Sequence, residues 1–168
     1  RYYSADRKNN PLRECRSIDP NYTREDYGTD IFVLGFRKNE DWKSEIINSL
    51  LEDFLIAIFN NELVVVIDGM EISAKNLSGI IENFKDMAPI AYNYYQVLTD
   101  ERTVKIEHEF TGLGTIELHI LVNQGLHRKV MMCRKNGMKI FDKANISGTI
   151  QFAGICVLKD EKINEYFR

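Results

Sequence analysis

The stretch that most constrains this chain is 28–67, GTDIFVLGFRKNEDWKSEIINSLLEDFLIAIFNNELVVVI, which reads as strand, long amphipathic helix, strand. Ile31, Phe32, Val33, Leu34 and Phe36 form an apolar run entered through Gly28 and Thr29, the pattern of a strand buried on both faces. Asn39 offers an N-cap for a helix over 41–59, and Glu40 and Asp41 put negative charge where the helix dipole favours it. Trp42, Ile46, Leu50, Phe54 and Ile58 recur every four residues, and Ile47, Leu51 and Leu55 widen the stripe. A face that wide needs a sheet over it. Asn60 and Asn61 end the helix, and 63–67 supplies a strand for that cover.

On either side the pattern changes. Residues 1–27 carry two prolines, many charges and no sustained apolar period, which predicts an extended arm. After 67, Asp68 and Gly69 form a tight-turn pair and 70–72 can return as a hairpin strand. Ser73 or Asn76 then caps a helix whose apolar face is Leu77, Ile80, Ile81 and Phe84, ending before Pro89. The segment 89–98 fits a helix or a strand, with the balance towards helix. From 104 the period becomes two: Val104, Ile106, His108 and Phe110 alternate with Lys105, Glu107 and Glu109, predicting one buried face and one wet face. Ile116, Leu118, Ile120 and Val122 repeat the alternation. Strands at 129–134 and 138–141 are joined through Asn136 and Gly137, a pair suited to a type I′ turn. A last strand covers 150–158, and 161–168 opens a helix. The expected fold is α+β, a mixed or antiparallel sheet with helices packed on one face.

Composition excludes some functions. The 168 residues carry a net charge of -3, with Lys and Arg interleaved among Asp and Glu, which argues against a dedicated nucleic-acid binder. Cys15, Cys133 and Cys156 are odd in number and widely spaced, as suits a reducing cytosol, so the expected location is cytoplasmic. No apolar stretch approaches the roughly 20 residues of a bilayer span, so no membrane partner is expected. With no initiator Met, the sequence reads as a piece of a longer chain.

Gly28 and Thr29, the apolar strand, the long helix with a phenylalanine near its end and the next strand together resemble the exit from the nucleotide-binding domain of GHKL ATPases. That superfamily includes gyrase B, MutL, histidine kinases and the ninety-kilodalton heat-shock chaperones. The hairpin Arg134, Lys135, Asn136, Gly137 and Met138, with the strand and helix after it, is similar to a segment of bacterial GHKL ATP-binding proteins. The resemblance implies that 1–36 is an arm and the last strand of an ATPase domain. It implies that 37–168 is a transducer-like domain with the architecture of the second domain of ribosomal protein S5. Thr29, beside Gly28, would contact adenine in the parent protein. ATP and magnesium would belong to that parent, with no cofactor held here. Partners implied are the upstream ATPase domain, a second copy in a homodimer, and a downstream effector. The transducer's usual catalytic contribution is one Lys or Arg on the γ-phosphate, for which Lys135 is poorly placed in a hairpin; no catalytic residue is expected here, and Arg134 and Lys135 are candidates for contact with phosphate or a partner. The magnesium-binding Asn helix, the Asp-x-Gly-x-Gly stretch and the glycine-rich lid of such ATPases are not in this sequence.

Other constellations are weaker. His108, His119 and His127 with Cys133 lack the short spacing of structural zinc, so no metal site is expected. Glu107, Glu109 and Glu117 read as a solvated strand face rather than an acid-base pair. Arg128, Lys129, Arg134, Lys135, Lys139 and Lys143 form one cationic cluster, which reads first as a solvated hairpin and second as a contact for phosphate, of a nucleotide or of nucleic acid. Tyr92, Tyr94 and Tyr95 either anchor a partner or close a core edge. The function expected is a non-catalytic transducer, with a nucleic-acid-binding module as the alternative.

Overall fold

The computed structural model describes residues 27–167 apart from 32 and 34. The chain divides into two compact units, Arg1–Arg37 and Lys38–Arg168. The arm expected at 1–27 lies outside the described residues except for Tyr27. In the first unit the strand expected at 31–36 is not formed by the described residues, and Ile31 and Val33 are 85% and 68% exposed. An apolar run becomes a strand only when a ladder takes up its N–H and C=O groups, and neither sheet described below includes these residues.

The second unit opens with helix α1, Trp42–Phe59. Its N-cap is Asp41 rather than Asn39, because the first helical bond runs from Glu45 N to Asp41 O at 3.0 Å; Asn39 instead donates from its side chain to Glu45, 3.4 Å away. The buried stripe is Ile47, Leu51, Leu55 and Ile58, while Ile46 is exposed and Leu50 and Phe54 are half-buried. The face meeting the core is therefore turned about one residue from the fourfold repeat that begins at Trp42. Asn61 ends α1 at φ 60°, and Glu62 N donates to Ala57 O.

Strands β1, Val65–Ile67, and β2, Met70–Ile72, pair only with each other. This small sheet is separate from the five-stranded one, and Ile67 enters the core with α1 while Leu63 and Val65 pack against that core. Its turn is of type I′, since Asp68 and Gly69 have φ 49° and 84°. Ser73 is buried, and Asn76 accepts from Ser73 N at 2.9 Å before helix α2, Leu77–Phe84. Helix α3, Pro89–Thr99, follows with proline in its first turn, where a missing N–H costs nothing.

The remaining strands are β3, Val104–Phe110; β4, Gly114–Val122; β5, Lys129–Cys133; β6, Lys139–Lys143; and β7, Phe152–Leu158. They form one mixed sheet in the order β3-β4-β7-β5-β6, with β5 and β7 parallel and the other pairs antiparallel. The fold is α+β. Leu121, Met131, Cys133, Ala153 and Ile155 join the residues of α1, α2 and α3 in a single core. The cross-strand registers place these residues on one face, in line with Lys105, Glu117 and His119.

The helices therefore lie over the face that the alternation marked as wet. The apolar set Val104, Ile106, Ile116, Leu118, Ile120 and Val122 points the other way, and all seven residues of β3 are exposed, contrary to the expected burial of one face. Helix α4, Glu161–Tyr166, begins to cover this second face: Phe167 meets Phe141 at 6.3 Å, and Ile163 is buried. Helices are thus not confined to one face.

Candidate functional site

The hairpin between β5 and β6 positions the site. Arg134 N donates to Met138 O at 2.8 Å and Gly137 N to Arg134 O at 2.9 Å, and Gly137, at φ 75°, is the one residue of this turn with positive φ. This is a glycine-bulge hairpin, not the expected type I′ turn, and it carries a register shift at Met132 and Cys133. The difference has a tertiary cause. Gly137 lies against the backbone of α1 so closely that a Cβ would fall 2.5 Å from Ala57 N. Only glycine can hold the turn there.

With Gly137 fixed on α1, Lys135 stands at the hairpin tip, where its N–H approaches Asn164 Oδ1 of α4 at 3.4 Å. Asn164 in turn donates to Leu158 O and Asp160 O at 2.8 and 2.7 Å, tying α4 to the end of β7. Lys135 lines three neighbouring cavities. The first, about 630 Å³, is floored by the sheet and roofed by the end of α1, with Lys105, Lys135, Lys159, Glu62, Glu117 and His119 among its walls. The second, about 440 Å³, adds Arg134, Asn136, Glu161 and Asn164. The third, about 600 Å³, borders Gly114, Lys159 and Asp160.

Inside the first of these cavities the charges are ordered. Glu117 accepts from Lys159 at 2.5 Å and contacts His119 Nε2 at 2.5 Å. The Lys159 bond, then the His119 bond, hold the Glu117 carboxyl down at about 2, and the same bond raises Lys159. Glu117 therefore stays ionised across the ordinary pH range and fixes two cationic or polar groups in the floor. Lys105 and Lys135 enter no ion pair among the described residues. The cleft thus gathers two ammonium groups without an ion pair, a third held by a carboxylate, and the Glu62 carboxylate, a mixed charged lining with a cationic excess. No nucleophile is paired with a base here.

The sequence-derived candidates separate. Lys135 and Arg134 share one cavity wall, whereas Gly28 and Thr29 are exposed residues of the first unit. Of the cationic cluster, Arg128 donates to Ile146 O, and Lys139 is bonded to Asp142 at 2.8 Å and lies 3.9 Å from Asp53. These two face internal partners, so the six cations are not one free patch. Tyr94 is a core residue: its hydroxyl donates to Asp142 at 2.7 Å, and burial, then that bond, push its pKa up. The histidines lie apart in role: His108 meets Phe110 edge to face, His119 holds Glu117, and His127 accepts from Asn93 at 2.8 Å. Among the described residues no three His, Cys, Asp or Glu side chains are placed to hold a metal ion. No described helix is long and apolar enough to cross a membrane.

Sequence reasoning missed Lys105, Lys159 and the Glu117 and His119 pair as site members. The available signal was the spacing of Glu117 and His119 by two, which puts both on one strand face; nothing local marks Lys159 as their partner. In comparisons with known proteins, the chain matches no family model, no curated protein and no solved structure.

Proposed function

We propose that residues 38–168 form a non-catalytic relay domain of a GHKL-type ATPase, sensing the phosphate end of a nucleotide held by a preceding domain. The observation that carries this reading is the position of Lys135: it faces the cleft with Lys105 and Lys159, on a hairpin whose Gly137 backbone abuts α1 at Ile56 and Ala57. An anion drawn to Lys135 would load the hairpin, and the hairpin can shift only by moving against a rigid helix. The cleft fits phosphoryl oxygens. Among the described residues no three His, Cys, Asp or Glu side chains could hold a metal ion, and in this reading the magnesium and adenine contacts belong to the preceding domain. Thr29 would act there, as would any catalytic machinery. The relay would end at an effector or a partner subunit.

The nucleic-acid alternative draws on the same lysines and has Phe59 in the cavity wall, yet loses Arg128 and Lys139 to internal bonds. Calorimetric titration with tripolyphosphate separates the readings. The relay reading expects saturable binding that Lys135→Ala weakens about tenfold, the loss of one charge-assisted contact. No binding, or binding indifferent to Lys135→Ala, would refute it, and tight salt-sensitive binding of single-stranded DNA in its place would favour the alternative.

A further inference from the structure

The main sheet has two edges, and they are treated differently. At β6 the ladder is kinked by the register shift at Met132 and Cys133, the strand packs against α1, and Lys139 is engaged by Asp142. At β3, among the described residues, no helix or bulge covers the edge, and only the charges of Lys105, Glu107 and Glu109 guard it. Its register with β4 runs unbroken from Val104 to Phe110, it contains no proline, and all seven residues are exposed. An open, regular edge is a template for another strand. The charges on β3 are also unmatched: no ion pair among the described residues engages Lys105, Glu107 or Glu109, and Glu107 stands directly across from Glu117.

We propose that β3 pairs antiparallel with β3 of a second copy of this chain, about a two-fold axis at Ile106, continuing the sheet through the dimer. The choice of a second copy follows from the strand's own charge pattern. A two-fold axis between antiparallel strands passes through a residue facing its own counterpart, so the central registers are those centred on 105 to 109. Centring on 105 sets Lys105 against itself. Centring on 107 or 109 sets a glutamate against itself, and centring on 108 sets Glu107 against Glu109. Centring on Ile106 sets Lys105 against Glu107 twice, Ile106 against Ile106, and Val104 against His108 twice. It alone has opposite charges facing each other and no like charges in contact. The same operation joins the exposed apolar faces of the two copies, with Val104 and Ile106 at the seam.

Sedimentation velocity of the 168-residue chain over a range of concentrations tests this directly. The wild type dimerises. Lys105→Glu and Glu107→Lys each weaken association about tenfold or more, and the double variant K105E/E107K restores it, because the reversed charges again face each other. Ile106→Glu, on the opposite strand face, abolishes the dimer while circular dichroism keeps the wild-type spectrum. A wild type that is monomeric at every concentration would overturn the proposal and leave the edge to a strand of another protein. So would a dimer that ignores either single reversal, or one that the double variant fails to restore. Lys105 belongs to both the cleft and this seam, so Ile106→Glu, which leaves the cleft lysines intact, is the variant that separates the dimer from tripolyphosphate binding.

Discussion

The two faces of the five-stranded sheet are used in opposite ways, and the face richer in apolar side chains is the less covered one. Under α1 and α3, Leu121, Met131, Ala153 and Ile155 are sealed into the core, yet the same face carries Lys105, Glu117 and His119 where the helix layer stops. On the other face, Ile106, Val104 and Val122 stay open, and only α4 offers partial cover. The covered face gives stability and, at its margin, a charged cleft. The open face is buried only at Cys156, Leu158 and under α4, and its β3 end stays exposed. A sheet face is therefore assigned by what packs on it, not by how apolar its residues are.

The sharpest break of this comparison is a matched pair of truncations. Ile155→Ala is expected to cost about 3–4 kcal/mol, since the residue is fully buried and its removal leaves a cavity. Ile106→Ala should stay within about 0.5 kcal/mol under conditions where the chain is monomeric. Urea unfolding of both variants checks the pair; equal losses would mean that the open face is covered after all.

Next in size is Gly137→Ala. Its Cβ would press on the α1 backbone at a positive φ, and the expected loss is about 2–3 kcal/mol. Gly69→Ala is the control, because its added Cβ meets nothing and only the positive φ is strained, so a loss of about 1 kcal/mol is expected. Equal losses at the two glycines would dissolve the contact between hairpin and helix.

The smallest effect is one of pH. His127 lies against Tyr94 and Asn93 and faces the charges of Lys129, Asp142 and Lys139; burial, followed by Lys129, pulls its pKa down to about 4. The unfolded chain binds this proton below about 6.5 and the folded chain only near 4, so stability drains away as pH falls through that window. The loss is at most about 2 kcal/mol at pH 5. His127→Gln should flatten the slope of denaturation midpoints between pH 7 and 5, and an unchanged slope would place the titration elsewhere.

How much of this was legible in the sequence follows from which interactions are local. Helix α1 and the turn at Asp68 and Gly69 rest on short-range periodicity and backbone preference, and both appear where the pattern puts them. Helix α3 was ambiguous because Tyr92, Tyr94 and Tyr95 suit either period; the burial of Tyr94 against Asp142 decides it, and that bond spans 48 positions. The turn at Asn136 and Gly137 had the right residues and the wrong geometry, because contact with α1 rather than local preference selects the bulge. At β3 and β4 the alternation correctly grouped residues by face, but periodicity carries no information about which face a distant helix will cover. The cleft was least legible. Lys105, Lys135 and Lys159 come from a strand, a hairpin tip and the end of another strand, and only the sheet order brings them together.

The central claim is that the Lys135 hairpin couples the cleft to α1. Hydrogen exchange of the backbone amides of 56–63 and 134–138, with and without tripolyphosphate, tests it most directly. The account predicts that the anion slows exchange in both segments in the wild type and in neither with Lys135→Ala. Protection confined to the hairpin, with α1 unchanged, would contradict it.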